Sequence, residues 1–186
     1  MRRESVGLDG AEAQYCDLSG RGLSTLQIER TLRVFETADA IDLSNNEIES
    51  VPSTIPPTIL ALDLSFNLIA NAQGVDRLKN LQEIHLGFNR LMDVSVLEFC
   101  PLLQHVNLSG NRLMNTRGLE TLAFLENLDL SENLIEFVLV LDDKKIRSAV
   151  KYKTVKGASA AKSLSYFCDP QQDTTASRDK SEAAGR

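Results

Sequence analysis

Apolar residues recur along this chain in the order LxxLxLxxNxL, most clearly over Leu81–Leu91, Leu103–Leu113 and Leu125–Ile135, in copies 22 residues apart. Aligned on the asparagine, the copies fall at Asn46, Asn67, Asn89, Asn111 and Asn133, spaced 21, 22, 22 and 22 residues. A weaker first copy runs from Ala13 to Leu23, with Cys16 and Leu18 at the apolar positions and Arg21 in place of the asparagine. A period of this size marks a solenoid of stacked coils, since no copy can bury its apolar face alone.

Within each copy the LxL pair predicts one short strand whose two apolar side chains point inward: Ile41 and Leu43, Leu62 and Leu64, Ile84 and Leu86, Val106 and Leu108, Leu128 and Leu130. The turn asparagine carries both an amide donor and a carbonyl acceptor, so it suits the backbone groups of neighbouring coils that stacking would otherwise leave unpaired. Asn46, Asn67, Asn89, Asn111 and Asn133 are therefore read as structural. Between strands, Val75, Leu78 and Leu81 recur as Leu97, Cys100 and Leu103 and as Leu119, Leu122 and Leu125. Their spacing of three predicts helical or 3₁₀ turns with one buried side. The connection 49–57 holds Pro52, Pro56 and Pro57, which predicts an extended or irregular back instead.

The segments "GVDRLKNLQEIHLGFNRL" (Gly74–Leu91) and "GLETLAFLENLDLSENLI" (Gly118–Ile135) resemble the 22-residue class of leucine-rich repeats. Members of that class include the regulatory leucine-rich subunit of type-one protein phosphatase and an axonemal dynein light chain. The resemblance spans about residues 13–135 and implies a right-handed α/β solenoid, with a concave parallel sheet and short helices or turns on the convex side. It further implies a protein-binding adaptor or regulatory subunit, with a phosphatase catalytic subunit, tubulin or a dynein component as candidate partners. A shorter stretch, "TLRVFETADAIDLSNNEI" (Thr31–Ile48), is similar to the leucine-rich A-prime protein of a spliceosomal particle. It opens the alternative of a ribonucleoprotein component whose solenoid holds a protein while its basic tail contacts RNA.

The organisation expected from these patterns is a flexible segment 1–12, six copies over 13–135, a degenerate cap or basic extension over 136–156, and a disordered tail over 157–186. Tyr152 and Val150 fall 22 residues after Leu130 and Leu128, but Lys144, Arg147 and Val155 break the consensus. Formal charge divides along the same line. Residues 1–143 carry a net −12 and residues 144–186 a net +6, giving −6 for the chain. An acidic solenoid argues against nucleic acid on its sheet face, where phosphate neutralisation would dominate binding.

The repeat register lists the surface of the sheet. Asp17, Asp42, Asp63, His85, Asn107 and Asp129 occupy the outward position between the strand apolars, and Tyr15, Ala40, Ala61, Glu83, His105 and Asn127 stand two residues earlier. Phe66 and Phe88 directly precede their turn asparagines in adjacent copies, and exposed aromatics are enriched at interfaces. Asp42, Asp63, Phe66, Glu83, His85, Phe88, His105, Asn107 and Asp129 are accordingly the candidate partner-binding residues. The register also sets His85 beside Asp63 and His105 beside Glu83, an arrangement with too few convergent ligands for a metal site.

No glycine-rich phosphate loop, GxSxG, HExxH or CxxC is present, so neither catalysis nor a cofactor is expected. The N-terminal residues lack the apolar core of a secretory signal, and no apolar run approaches the roughly 20 residues that span a bilayer. Three unclustered cysteines fit the same expectation of a cytoplasmic protein, with the cytoskeleton or cilium as the sites the resemblance adds and the nucleus a lesser alternative. The sequon Asn107-Leu108-Ser109 is then expected to carry no glycan.

Overall fold

The computed structural model describes residues 7–8, 11–12, 14–33 and 37–135. The cap or extension expected over 136–156, and the tail beyond it, lie outside the described residues. Near the start, inside the segment expected to be flexible, β1 (Gly7–Leu8) and β2 (Ala11–Glu12) pair antiparallel. Six three-residue strands then form one parallel sheet in sequence order: β3 (Tyr15–Asp17), β4 (Ala40–Asp42), β5 (Ala61–Asp63), β6 (Glu83–His85), β7 (His105–Asn107) and β8 (Asn127–Asp129).

Each strand of the sheet buries its central residue, namely Cys16, Ile41, Leu62, Ile84, Val106 and Leu128. The second apolar of each LxL pair, from Leu18 through Leu43, Leu64, Leu86 and Leu108 to Leu130, is also buried. Strand pairing follows the repeat alignment residue for residue, with Asp17↔Asp42↔Asp63↔His85↔Asn107↔Asp129 in one row. A one-residue slip would turn every buried side chain outward, so the apolar pattern holds the register.

The backs of the coils differ, and coil length explains why. From Arg21 to Asn46 the spacing is 25 residues, and the surplus holds α1 (Thr25–Leu32), which the apolar spacing alone does not announce. Gln27 Oε1 accepts from the Ser24 backbone N–H at 2.8 Å, the reciprocal half of a capping box. Only Ile28 and Leu32, one turn apart, are buried on this helix, too narrow a stripe to mark it in sequence. Two of the regular coils have 3₁₀ turns, at Val75–Arg77 and Ser95–Phe99, with Val75, Leu78, Leu97 and Cys100 buried beneath them, while the coil of Leu119, Leu122 and Leu125 has separate hydrogen-bonded turns instead.

The proline coil has neither helix nor 3₁₀ turn, and its carbonyls find a donor one coil further on. Arg77 Nη1 donates to Ile55 O at 2.6 Å and Nη2 donates to Pro52 O. Burial presses the Arg77 guanidinium below its ordinary pKa, although nearby Asp76 opposes that shift. Thr54 Oγ1, in the same coil, is buried without a hydrogen-bond partner among the described residues.

Candidate functional site

Two ladders run across the coils, and together they define what the sheet face can do. The inner one is the turn asparagine. Asn67 Nδ2 donates to Leu43 O of the coil before it and to Leu64 O and Ser65 O of its own, while its Oδ1 accepts from Ile48 N. Asn89, Asn111 and Asn133 repeat the pattern, and Asn46 reaches back to Leu18 O and accepts from the N–H groups of Arg21 and Leu23. All five are buried. Arg21, at the asparagine position of the first copy, turns its guanidinium to Asp17 O.

The outer ladder is only half legible in sequence. Asp17, Asp42, Asp63, Asn107 and Asp129 stand in the outward row, and each offers Oδ1 to the backbone N–H of the serine two residues on, at 2.8–3.0 Å. These are Asx turns that bend the chain out of the strand. Asn107 makes the turn as well as the aspartates do, so the turn uses one side-chain oxygen and has no need of the charge. His85 breaks the series and is followed by Gly87, where an added Cβ would lie 3.0 Å from Ser109 Oγ and 3.1 Å from Asn107 Oδ1. The serine hydrogen bonds to Asp17 hold that carboxyl below its usual pKa range.

The histidines sit where the register puts them but choose other partners. His85 Nε2 lies 2.7 Å from Glu83 Oε1 on its own strand rather than turning to Asp63, because residues two apart share a face. His105 Nδ1 lies 2.6 Å from Asn127 Nδ2. Among the described residues, no group of three or more His, Cys, Asp or Glu side chains converges as metal ligands would.

Phe66 and Phe88 form the feature that the sequence shows only as two letters. Their rings stack with centroids 4.5 Å apart and planes 6° from parallel. Phe66 is 55% exposed and Phe88 42%. The residue before each turn position is left-handed in every coil: Gly20, Asn45, Phe66, Phe88, Gly110 and Glu132 have φ from 54° to 65°. Bulky side chains are uncommon there. The ring of Phe88 also covers Gly110, since a Cβ at that glycine would be 2.6 Å from Phe88 Cδ1. The phenylalanines thus pack along the ladder and still present open ring area.

Tyr15 closes the row at β3, its hydroxyl donating to Asp42 Oδ2 at 3.3 Å. Its phenol is pushed up to about 12, first by burial and then by Asp42 and Asp17. Cys16 and Cys100 are buried, and Cys100 donates to Val75 O at 3.3 Å. Burial raises both thiols, that of Cys100 to about 11. No helix among the described residues is long and apolar enough to cross a membrane.

Comparison with known proteins places this geometry. A leucine-rich repeat family model matches residues 99–123. No curated protein matches the chain. Among solved structures, an internalin of Listeria monocytogenes aligns at a TM-score of 0.54 and 21% identity, over 68% of this chain and 37% of its own. The plant peptide hormone receptor RGFR1, in complex with RGF2, aligns at 0.52 and 20% identity, over 64% and 21%. A chain from the octameric complex of Latrophilin 3, Unc5D and FLRT2 aligns at 0.58 and 16% identity, over 80% and 56%. This chain therefore spans about a fifth to just over half the length of the structures it matches, and what it shares with them is the leucine-rich repeat solenoid fold.

Proposed function

We propose that this leucine-rich repeat protein is a non-catalytic adaptor or regulatory subunit that binds another protein across its sheet face. The carrying observation is the Phe66–Phe88 stack, two half-open rings held in a backbone conformation that favours glycine or asparagine. Burying those rings under a partner would recover apolar area that the isolated chain leaves in water. The neighbouring carboxylates support the same reading, because the turns they make would form equally well without charge. A phosphatase catalytic subunit, tubulin or a dynein component are the partners the repeat class suggests, and the cytosol or cytoskeleton the place.

The test is affinity purification of the tagged chain from its native cells beside the variant Asp63→Asn, Phe66→Asn, Phe88→Gly. Each replacement is a residue that this chain itself uses at the same position of another coil, as Asn107, Asn45 and Gly110 show. The variant should therefore keep its circular dichroism spectrum. Loss of a partner that the parent recovers supports the reading and names the partner. Equal recovery by both forms sinks it.

A further inference from the structure

The row that begins at Tyr15 drops to alanine on the next two strands, then rises again at Glu83 and His105. Ala40 and Ala61 are paired neighbours, so the sheet has a low stretch two strands wide, on the order of 5 Å per strand. Tyr15 forms one wall and the Glu83–His85 contact the other. Along its far side stand Asp42 and Asp63, paired with each other in register, and then Phe66 above Asp63 in the chain.

The two carboxylates are placed to receive a cation and lack one among the described residues. Their Oδ1 atoms are taken by Ser44 and Ser65, which directs the Oδ2 atoms away from the turn. Asp42 Oδ2 meets the Tyr15 hydroxyl, and Asp63 Oδ2 accepts no hydrogen bond among the described residues. No Lys or Arg among the described residues forms an ion pair with either. Asp42 and, more weakly, Asp63 add to the rise of the Tyr15 phenol, after burial as its largest cause. Like charges directly opposite on adjacent strands repel, and nothing in the turn requires both to be charged.

We infer that the Ala40–Ala61 stretch receives an arginine or lysine side chain from an extended segment of a partner protein, with its aliphatic stem over the alanines and its charged head between Asp42 and Asp63. An apolar residue of the same segment then reaches the Phe66–Phe88 rings. A long basic side chain fits because it pairs an apolar stem with a polar head, as this stretch pairs alanine with carboxylate. The assignment rests on the protein-binding role of the sheet face and adds which part of the face reads the partner and by what chemistry.

The probe is a random dodecapeptide library displayed on phage and selected on the full chain. Selected peptides should carry Arg or Lys close to an apolar residue. Their affinity should fall at least tenfold on D42N/D63N, which keeps both Asx turns, and on Ala61→Leu, which fills the low stretch without altering charge. Asp129→Asn, in the same row but four strands from Asp42, should leave affinity within twofold. Peptides that bind without basic residues, or that are indifferent to both the D42N/D63N and Ala61→Leu variants, overturn this assignment while leaving a protein-binding face intact. An equal loss with Asp129→Asn reduces it to general charge attraction and likewise overturns it. A zero-length carbodiimide cross-link from Asp63 to a lysine of residues 144–156 within the same chain makes the cation internal and overturns the assignment to a partner. The broader reading fails separately, through equal recovery of native partners by the triple variant.

Discussion

Each coil places two adjacent residues under opposite conditions. The turn asparagine points inward, is buried, and ties its coil to the one before by one donor bond and one acceptor bond, with two further donor bonds inside its own coil. The residue just before it points outward in left-handed backbone and is Gly, Asn, Phe, Phe, Gly or Glu in the six coils. Where backbone groups must be satisfied at fixed distance, one side chain answers, and the position is asparagine in each of the five coils after the first, which has Arg21 there. Where the only demand is a tolerated φ, several residues answer, and the chemistry of the choice is free for recognition. The Asp row falls between these cases, with one oxygen committed to the turn and the charge left over.

The sharpest way to break this contrast is Asn89→Ala. It leaves Ile69 N–H without its partner and Leu64 O with only its bond from Asn67. Urea unfolding should show a loss of about 3 kcal/mol, since stranding one buried N–H costs roughly 1–3 kcal/mol and each further hydrogen bond lost about 1 kcal/mol. A loss below about 1 kcal/mol would show that water replaces the ladder. Next comes Arg77→Met, which keeps the stem but removes the donors to Ile55 O and Pro52 O. About 2 kcal/mol should go, on the scale of hydrogen bonds from a charged group, and protease nicking should appear first within residues 52–57.

Alkaline pH probes the interior from another side. A Cys100 thiol ionises at its ordinary 9.0 when unfolded and at about 11 when folded. Its contribution is therefore complete below pH 9 and is lost as pH rises from 9 to about 11, because only the unfolded chain then gains from releasing the proton. Cys100→Ser should lack that part of the alkaline slope, and alkylation of Cys100 at pH 8 should await opening of the coil. The smallest effect on stability belongs to the outer position. Phe88→Gly loses the stack with Phe66 but relieves a left-handed phenylalanine, terms of about 1 kcal/mol each and of opposite sign. Midpoints should nearly coincide while partner recovery falls, and a fall in stability beyond about 2 kcal/mol would make Phe88 a scaffold residue.

Much of the fold is open to reading because it rests on local rules. Strand position, register and the turn asparagines follow from a period that must bring like residue onto like residue, and each appears where the repeat puts it. Helix α1 is not legible in the same way because Ile28 and Leu32 alone are buried, against a strand-like background. The histidine contacts depart from the register's expectation for a related reason. Pairing distance across strands is legible, yet Glu83 on the same strand is also within side-chain reach of His85, and side-chain torsion chooses between them.

By itself the sequence determined the solenoid, its register, the buried ladder and the residues that line the sheet face, because a 22-residue period with inward leucines admits one stacking. The tertiary structure alone decided that Phe66 and Phe88 stack in left-handed backbone, that Arg77 serves the proline coil, and that the aspartates commit one oxygen to a turn. Those facts depend on torsions and on neighbours brought together from 22 residues away, and a linear pattern carries neither.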